Sequence, residues 1–410
     1  MLRPHSYACG QWMAPGDAAT DIIGPVTGQV IAQAGGAPLD MQAMLDHARG
    51  VGGPALRAMG FHDRARMIKA LAAYLDERKE QLYALNAMTG ATRRDGWVDI
   101  DGGIGTMGLF AAKGRREMPD GQVYIDGDVE MLSRKGTFLG QHVAVPLQGV
   151  AVQINAFNFP VWGMLEKLAP ALLAGMPSIV KPATQTCYLT EACVRLIIDS
   201  GILPEGALQL VIGRTGDLLD RLGAQDVVAF TGSADTALML RGNPALMRHS
   251  TRFMAEQDSL NASILGADAG PDSAEFALFI KEAVTEITTK AGQKCTATRR
   301  LIVPAGMMEA VGAALAEKLA AITIGNPAAE GVRMGALASH AQKADVLARL
   351  TQLQTEARLI HGDPTRMTLV DADPDQAFLP PMLLECADPD AARLVHEVEA
   401  FGPLSTLIPD

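Results

Sequence analysis

Gly149-Val150-Ala151-Val152-Gln153-Ile154 is the run that decides the fold. Apart from Gln153, every residue after the glycine is apolar, and the run is too short for an ordinary helix. It predicts a strand buried on both faces. Trp162 to Ala174 has helical apolar spacing and stops at Gly175. Ser178-Ile179-Val180-Lys181 is a second short strand, followed by a helix from about Tyr188 to Ser200. Leu208 to Ile212 and Asp226 to Phe230 continue the alternation. Short strands alternating with helices predict a doubly wound α/β parallel sheet. Ligands in such sheets bind beyond the strand carboxyl ends, where Asn158, Lys181 and Thr231 fall.

Toward the N-terminus, residues 1–35 read as short strands and turns, with a turn at Gly24-Pro25-Val26-Thr27-Gly28. Residues 41–89 have helical spacing. Met67, Leu71, Tyr74 and Leu75 form an inward face, and Arg64, Arg66, Lys69 and Arg78 are expected outside. Gly103-Ile104-Gly105-Thr106-Met107-Gly108 matches the dinucleotide pattern GxGxxG, but no hydrophobic strand precedes it. Close helix packing explains it better. Residues 118–148 carry turn signals between strand-like runs, which predicts an antiparallel excursion suited to an oligomer contact. Beyond residue 256 a second α/β pattern predicts helices at 273–291, 307–321 and 341–356, with strands at Leu301-Ile302-Val303 and Arg358-Leu359-Ile360.

A formal net charge of −11 over 410 residues, with no long basic block, argues against nucleic acid or an anionic membrane as the main partner. The most apolar segment, Val161 to Val180, contains Glu166, Lys167 and two prolines, so it predicts a buried helix and strand rather than a membrane span. The 5 cysteines are odd in number and form no CxxC pair. Neither a disulfide framework nor a metal site is expected, and a reducing cytoplasm is the simplest location.

One cysteine has chemically suggestive surroundings: Lys290-Ala291-Gly292-Gln293-Lys294-Cys295-Thr296-Ala297-Thr298-Arg299-Arg300. Positive charge nearby favours the thiolate, which is the nucleophile. A lone cysteine is catalytic only about one time in ten, and more often a small buried apolar residue. Its standing changes with the motifs around it. Ala156-Phe157-Asn158-Phe159-Pro160 ends the first strand of the parallel unit, and Lys181-Pro182-Ala183-Thr184 ends the second. Phe230-Thr231-Gly232-Ser233, Glu256 with Ser259-Leu260-Asn261, Gly292-Gln293-Lys294-Cys295 and Glu399-Ala400-Phe401-Gly402-Pro403 follow in order. Alone, Asn158 is a turn residue before a proline and Glu256 a surface carboxylate. As an ordered set the motifs resemble the aldehyde dehydrogenase superfamily over essentially the whole chain.

The Ile154-to-Pro160 segment, Glu256 to Asn261 and Thr288 to Ala297 resemble one branch of it. That branch holds the dehydrogenase half of the bifunctional phenylacetate-degradation (PaaZ-type) proteins and the dehydroadipyl-CoA semialdehyde dehydrogenases of benzoate breakdown. The resemblance implies oxidation of a CoA-linked semialdehyde to its acid. It implies Cys295 as nucleophile, Asn158 with the Cys295 N–H as oxyanion donors, and Glu256 as the base that activates water. For the cofactor it implies Lys181 and Thr184 at the adenosine ribose and Thr231, Gly232 and Ser233 at the diphosphate. Phe157 falls in the same site, and Glu399 and Phe401 lie at the nicotinamide end. NAD-preferring members carry a glutamate where this chain has Thr184. A hydroxyl tolerates a 2′-phosphate, so NADP is expected ahead of NAD. A cap on the next helix is the competing role for Thr184.

The expected division is a dinucleotide domain of 1–117 with 149–255, oligomerisation strands at 118–148, and a catalytic domain at 256–410. Ala237, where the family often has glycine, is expected to crowd the diphosphate. The resemblance also implies further catalytic-domain sequence beyond Asp410, and a homo-oligomer. Two alternatives remain open: a CoA-acylating dehydrogenase, which has no need of Glu256, and an inactive fragment that binds nucleotide or a partner.

Overall fold

A computed structural model describes all residues, 1–410. The chain forms two compact units. The first contains residues 1–21, 32–82 and 98–256, and the second residues 22–31, 83–97 and 257–410.

The first unit is built on a parallel run of five strands: β1 (Ala151–Ile154), β2 (Ser178–Lys181), β3 (Leu208–Leu210), β4 (Val227–Thr231) and β5 (Arg252–Glu256). Their order is β5-β4-β1-β2-β3, extended by the strands Ser6–Ala8 and Gln11–Met13. Val152 lies opposite Ile179 on one side and Val228 on the other, both parallel. Val150, Val152 and Ile154 alternate onto one face, where they pack with Met44, Leu45 and Leu218. Two strands are shorter than the sequence suggests because side chains take over their ladder groups. The Ile212 N–H donates to Ser6 Oγ at 3.0 Å instead of continuing β3. Asp226, 1% exposed, stays out of β4 because its carboxylate accepts from Val150 N–H at 2.8 Å and Gly223 N–H at 2.7 Å, and pairs with Arg49.

Three helices pack on one another, α1 (Phe61–Arg78), α2 (Gly102–Glu117) and α3 (Trp162–Leu173), and α3 lies against β1 and β2. The GxGxxG glycines lie inside α2, and a Cβ on Gly103 would come 2.8 Å from the Trp162 backbone. Close packing therefore accounts for Gly103 alone, since Gly105 and Gly108 face open space, and the helical setting rules out the dinucleotide loop. Arg64 corrects the expectation of an outward arginine. It is fully buried, with Nε donating to Leu173 O at 2.8 Å and Nη1 to Leu56 O at 3.1 Å and Met59 O at 2.8 Å. Carbonyls at helix C-termini lack intrahelical donors, and a cation there satisfies them and opposes the dipole. Residues 118–148 do form an antiparallel hairpin, Tyr124–Met131 with Leu139–Ala144, with Ile125, Val129, Met131, Leu139 and Val143 exposed.

Two further helices of this unit, α4 (Cys187–Asp199) and α5 (Ala234–Arg241), follow β2 and β4. In the second unit the strands β6 (Asn261–Ile264), β7 (Thr298–Val303), β8 (Arg358–His361), β9 (Met382–Glu385) and β10 (Leu404–Pro409) form a sheet in the order β6-β7-β10-β9-β8. All neighbours are parallel except β8 with β9. Helices α6 (Ala274–Thr288) and α7 (Met308–Ala320) pack apolar faces with Leu301, Val303, Leu383 and Leu407. The predicted helix to Ala291 ends three residues early. Lys290, Ala291 and Gly292 have φ of 53°, 51° and 69°, a left-handed turn that carries the chain out of α6 toward Cys295.

Candidate active site

Strand register brings part of the predicted site to one height in the first unit. Ile154 pairs with Phe230 and with Lys181, and Thr231 pairs with Glu256. One residue beyond, Asn155 lies level with Thr231 at the carboxyl ends of adjacent strands. Asn155 N–H donates to Lys181 O at 3.0 Å, and Gly232 N–H to Glu256 O at 3.1 Å, so the strand ends are tied to each other as they open into loops. Glu256 closes β5 with an exposed side chain and is the last residue of the first compact unit, one residue past the expected domain boundary. It lines a cavity of 480 Å³ with Thr106, Trp162, Lys167, Phe230 and Thr231. Lys167 in that wall pairs with Glu166 at 2.9 Å and donates to Gly163 O at 3.1 Å.

Asn158 is buried, 7% exposed, in the loop between β1 and α3. Three side chains hold that loop, and sequence reading missed all of them. Thr186 Oγ1 donates to Phe157 O at 3.0 Å and Thr190 Oγ1 to Pro160 O at 2.8 Å. The buried Asp99 carboxylate accepts from Val161 N–H at 3.2 Å and Trp162 N–H at 2.8 Å, satisfying orphan donors at the start of α3. Asp99 is far from Asn158 in sequence and belongs to no periodic pattern. Only the fold brings it to the start of α3.

The same strand ends fit a polar ligand. Both amide atoms of Asn155 and the Oγ1 of Thr231 are buried without a hydrogen-bond partner, a state that folded proteins avoid unless a ligand or water completes it. Lys181 is half-buried at the end of β2, and burial pushes its ammonium pKa down. Ser233 caps α5, its side chain accepting from Thr236 N–H at 3.3 Å, so the N-terminus of that helix follows Thr231 and Gly232 directly. Free N–H groups and the helix dipole favour an anion there. Thr184 lies in the 3₁₀ turn Thr184–Thr186, and neither that turn nor α4 takes a side-chain cap, which removes the competing role for Thr184. Ala237 departs from expectation: it is 2% exposed, and its methyl joins the apolar cluster with Leu246 and Val228.

The cysteine loop in the second unit is held differently. Lys290 N–H donates to the buried Asp95 carboxylate at 2.7 Å, which supports the left-handed turn. A Cβ on Gly292 would lie 2.1 Å from Gly402 O, so two motifs distant in sequence approach closer than any side chain permits. Gln293 Nε2 donates to Lys290 O at 2.8 Å, and its Oε1 accepts from Ala338 N–H at 2.9 Å. Cys295 is half-buried. Its carbonyl is clasped by Asn261 Nδ2 at 2.7 Å and by the Ser259 hydroxyl, and Asn261 also donates to Ala297 O at 3.1 Å.

The basic neighbours that suggested an activated thiol have carboxylate or carbonyl partners of their own. Lys294 pairs with Glu286 at 2.8 Å, and Arg300 donates to Leu260 O. Arg299, 4% exposed, reaches Glu399 at 3.4 Å. Burial raises the Glu399 pKa against the opposing pull of Arg299 and the Ser259 N–H, which donates to its Oε2 at 3.2 Å. Arg299 also lies 5.6 Å from the Phe401 ring centroid. Of the predicted residues, then, Phe157, Asn158, Lys181, Thr184, Thr231, Gly232, Ser233 and Glu256 belong to the first unit, and Cys295, Glu399 and Phe401 to the second.

Comparison with known proteins identifies the family. A model of the aldehyde dehydrogenase family matches residues 12–409. The 3,4-dehydroadipyl-CoA semialdehyde dehydrogenase of Aromatoleum evansii is 43% identical over 410 residues, covering 100% of this chain and 79% of that protein. The alpha-ketoglutaric semialdehyde dehydrogenase of Bacillus subtilis is 28% identical over 352 residues, covering 84% of this chain and 67% of that protein. Among solved structures, betaine aldehyde dehydrogenase from Staphylococcus aureus in complex with NAD+ has a TM-score of 0.84 at 24% sequence identity. It covers 99% of this chain and 78% of that chain, a likeness of fold. The α/β architecture is that of the aldehyde dehydrogenases. By a family match over nearly its whole length and a relative as similar as 43%, the chain belongs to the aldehyde dehydrogenase family and is an oxidoreductase acting on aldehydes.

Proposed function

We propose that the chain oxidises the aldehyde group of a CoA-linked semialdehyde to the free acid, with NADP preferred over NAD. The observation that carries the chemistry is the doubly clasped Cys295 carbonyl. Ser259 and Asn261 fix the backbone on which the half-buried thiol is mounted. Fixing a nucleophile before reaction removes entropy and reorganisation from the barrier.

In this reading the Cys295 sulfur adds to the aldehyde carbon, and the oxygen that becomes negative takes hydrogen bonds from the Asn158 amide and the Cys295 N–H. A bound nicotinamide dinucleotide supplies the two-electron acceptor that takes the adduct to a thioester. Glu256 accepts a proton from the water that attacks this thioester, releasing the acid and freeing Cys295. Lys181 and Thr184 hold the adenosine ribose, Thr231 to Ser233 the diphosphate, with Phe157 beside them, and Glu399 with Phe401 the nicotinamide end. The orphaned Asn155 and Thr231 atoms support a polar ligand at the strand ends. A hydroxyl at Thr184, free of a capping role, supports acceptance of a 2′-phosphate.

The 43% relative favours 3,4-dehydroadipyl-CoA semialdehyde as the substrate type, ahead of the longer 3-oxo-5,6-dehydrosuberyl-CoA semialdehyde of phenylacetate breakdown. Glu256 favours release as free acid over transfer to CoA. The exposed apolar residues of the hairpin support self-association through that edge. The deciding assay follows NADP reduction with both semialdehydes and identifies the product. The reading expects free acid, higher kcat/KM with the shorter substrate, and loss of turnover by at least about 10⁴-fold in Cys295→Ala. Retained reduction by Cys295→Ala, or an acyl-CoA thioester product, overturns it.

A further inference from the structure

Arg299 is not among the motif residues, yet it is the most connected side chain around the cysteine loop. It shares the buried face of β7 with Leu301 and Val303, while its neighbour Arg300 points to the other face and donates to Leu260 O. Its guanidinium reaches two motifs at once. Nη2 donates to Gly292 O at 2.8 Å and to Lys294 O at 3.4 Å, both in the loop that ends in Cys295. Nη1 donates to Gly402 O at 2.8 Å, Nε to Glu399 Oε1 at 3.4 Å, and the Phe401 ring lies beside it.

The remaining Glu399 oxygen closes a ring. Glu399 Oε2 accepts from Ser259 N–H at 3.2 Å, and the Ser259 hydroxyl donates to the Cys295 carbonyl. The connection therefore runs from Arg299 through Glu399 and Ser259 to Cys295, and back through Lys294 and Gly292 to Arg299. A planar fork with five N–H groups can serve these acceptors together, whereas a single ammonium cannot. With the guanidinium enclosed, no water is at hand to replace a lost contact, and a carbonyl left without its donor is costly.

We infer that Arg299 is a positioning residue that couples the Glu399–Phe401 cofactor seat to the orientation of the Cys295 loop. The inference rests on the reading of Glu399 and Phe401 as the nicotinamide-end seat. A ribose that draws on the Glu399 carboxylate loosens or redirects its bond to Arg299, and Arg299 transmits the change to the Gly292 and Lys294 carbonyls. Cofactor occupancy thereby alters the presentation of the thiol before any aldehyde arrives.

The test measures two quantities in the 410-residue chain and in its Arg299→Lys and Arg299→Gln variants. One is the NADP dissociation constant from intrinsic fluorescence. The other is the rate of Cys295 alkylation by iodoacetamide, followed on its own peptide by mass spectrometry, with and without NADP. Cys187 and Cys193 do not interfere, because burial pushes both thiols up, Cys187 to about 12. Wild type is expected to show an alkylation rate that changes with NADP. Arg299→Gln is expected to bind NADP about tenfold more weakly and to lose that response, as removal of a charge-assisted hydrogen bond does. Arg299→Lys, which keeps the charge but not the fork, is expected to retain most of the binding and to lose the response. A thermal melt identifies folded protein, and if Arg299→Gln does not fold, Arg299→Lys decides. Folded variants that bind NADP and respond as wild type overturn the inference alone. Failure of wild type to bind either NADP or NAD overturns the reading of the site, and the inference with it.

Discussion

The two halves of the predicted site are positioned by different means. In the first unit Lys181, Thr231 and Glu256 stand where three parallel strands end, and the register Ile154–Phe230 and Thr231–Glu256 sets their height. In the second unit Cys295 follows a turn with three consecutive left-handed residues, held by Asp95, Gln293, Ser259, Asn261 and Arg299. The first half inherits its geometry from the sheet, so a side chain there can change chemistry without touching the scaffold. In the second half the hydrogen bonds that place the thiol are themselves the scaffold. Chemistry and stability are separable in one region and joined in the other.

The strongest way to break this contrast is Gly292→Ala. Its Cβ would lie 2.1 Å from Gly402 O, and φ is 69°. A loss of about 3 kcal/mol or more in urea unfolding is expected, together with activity. Wild-type stability in that variant would mean that the loop adapts and is no scaffold. Asn158→Ala is the counterpart in the first unit. It should lower kcat by about 10²–10³ with a smaller loss of stability than Gly292→Ala, the loop being held also by Asp99, Thr186 and Thr190. Asn261→Ala sharpens the comparison at smaller scale. Losing one of the two donors on the Cys295 carbonyl should cost about 1–3 kcal/mol and slow Cys295 alkylation at the same time. Thr184→Glu should be the mildest: no change in stability, and a shift of roughly tenfold in the NADP-to-NAD ratio of kcat/KM toward NAD.

The same division governs what the sequence reveals. Val150, Val152 and Ile154 announce a buried strand because burial on both faces leaves a local apolar run, and the following strands repeat the signal. The carboxyl-end placement of Lys181 and Thr231 follows from that alone. The roles of Glu256, Glu399 and Phe401 do not; they come from the ordered motifs and their resemblance to a family. Helical composition extends through Lys290 and Ala291, and the helix nonetheless stops at Thr288, because Asp95 and the approach of Gly402 to Gly292 outweigh local propensity. Arg64 reads as an outward charge on an amphipathic helix, and only the three-dimensional position of the carbonyls of Leu56, Met59 and Leu173 draws it inside. Asp99 and Arg299 are equally silent, since their partners are distant in sequence and carry no pattern.

The central claim, a covalent thioester on Cys295 cleared by water that Glu256 activates, is tested most directly by intact mass. Glu256→Gln protein is mixed with the CoA-linked semialdehyde and NADP and measured within one turnover. The account predicts one equivalent of reduced cofactor and a mass increase equal to the acyl group, located on Cys295, with steady turnover lowered by about 10²–10⁴. An unmodified chain after the cofactor has been reduced, or an adduct on any other residue, would contradict it.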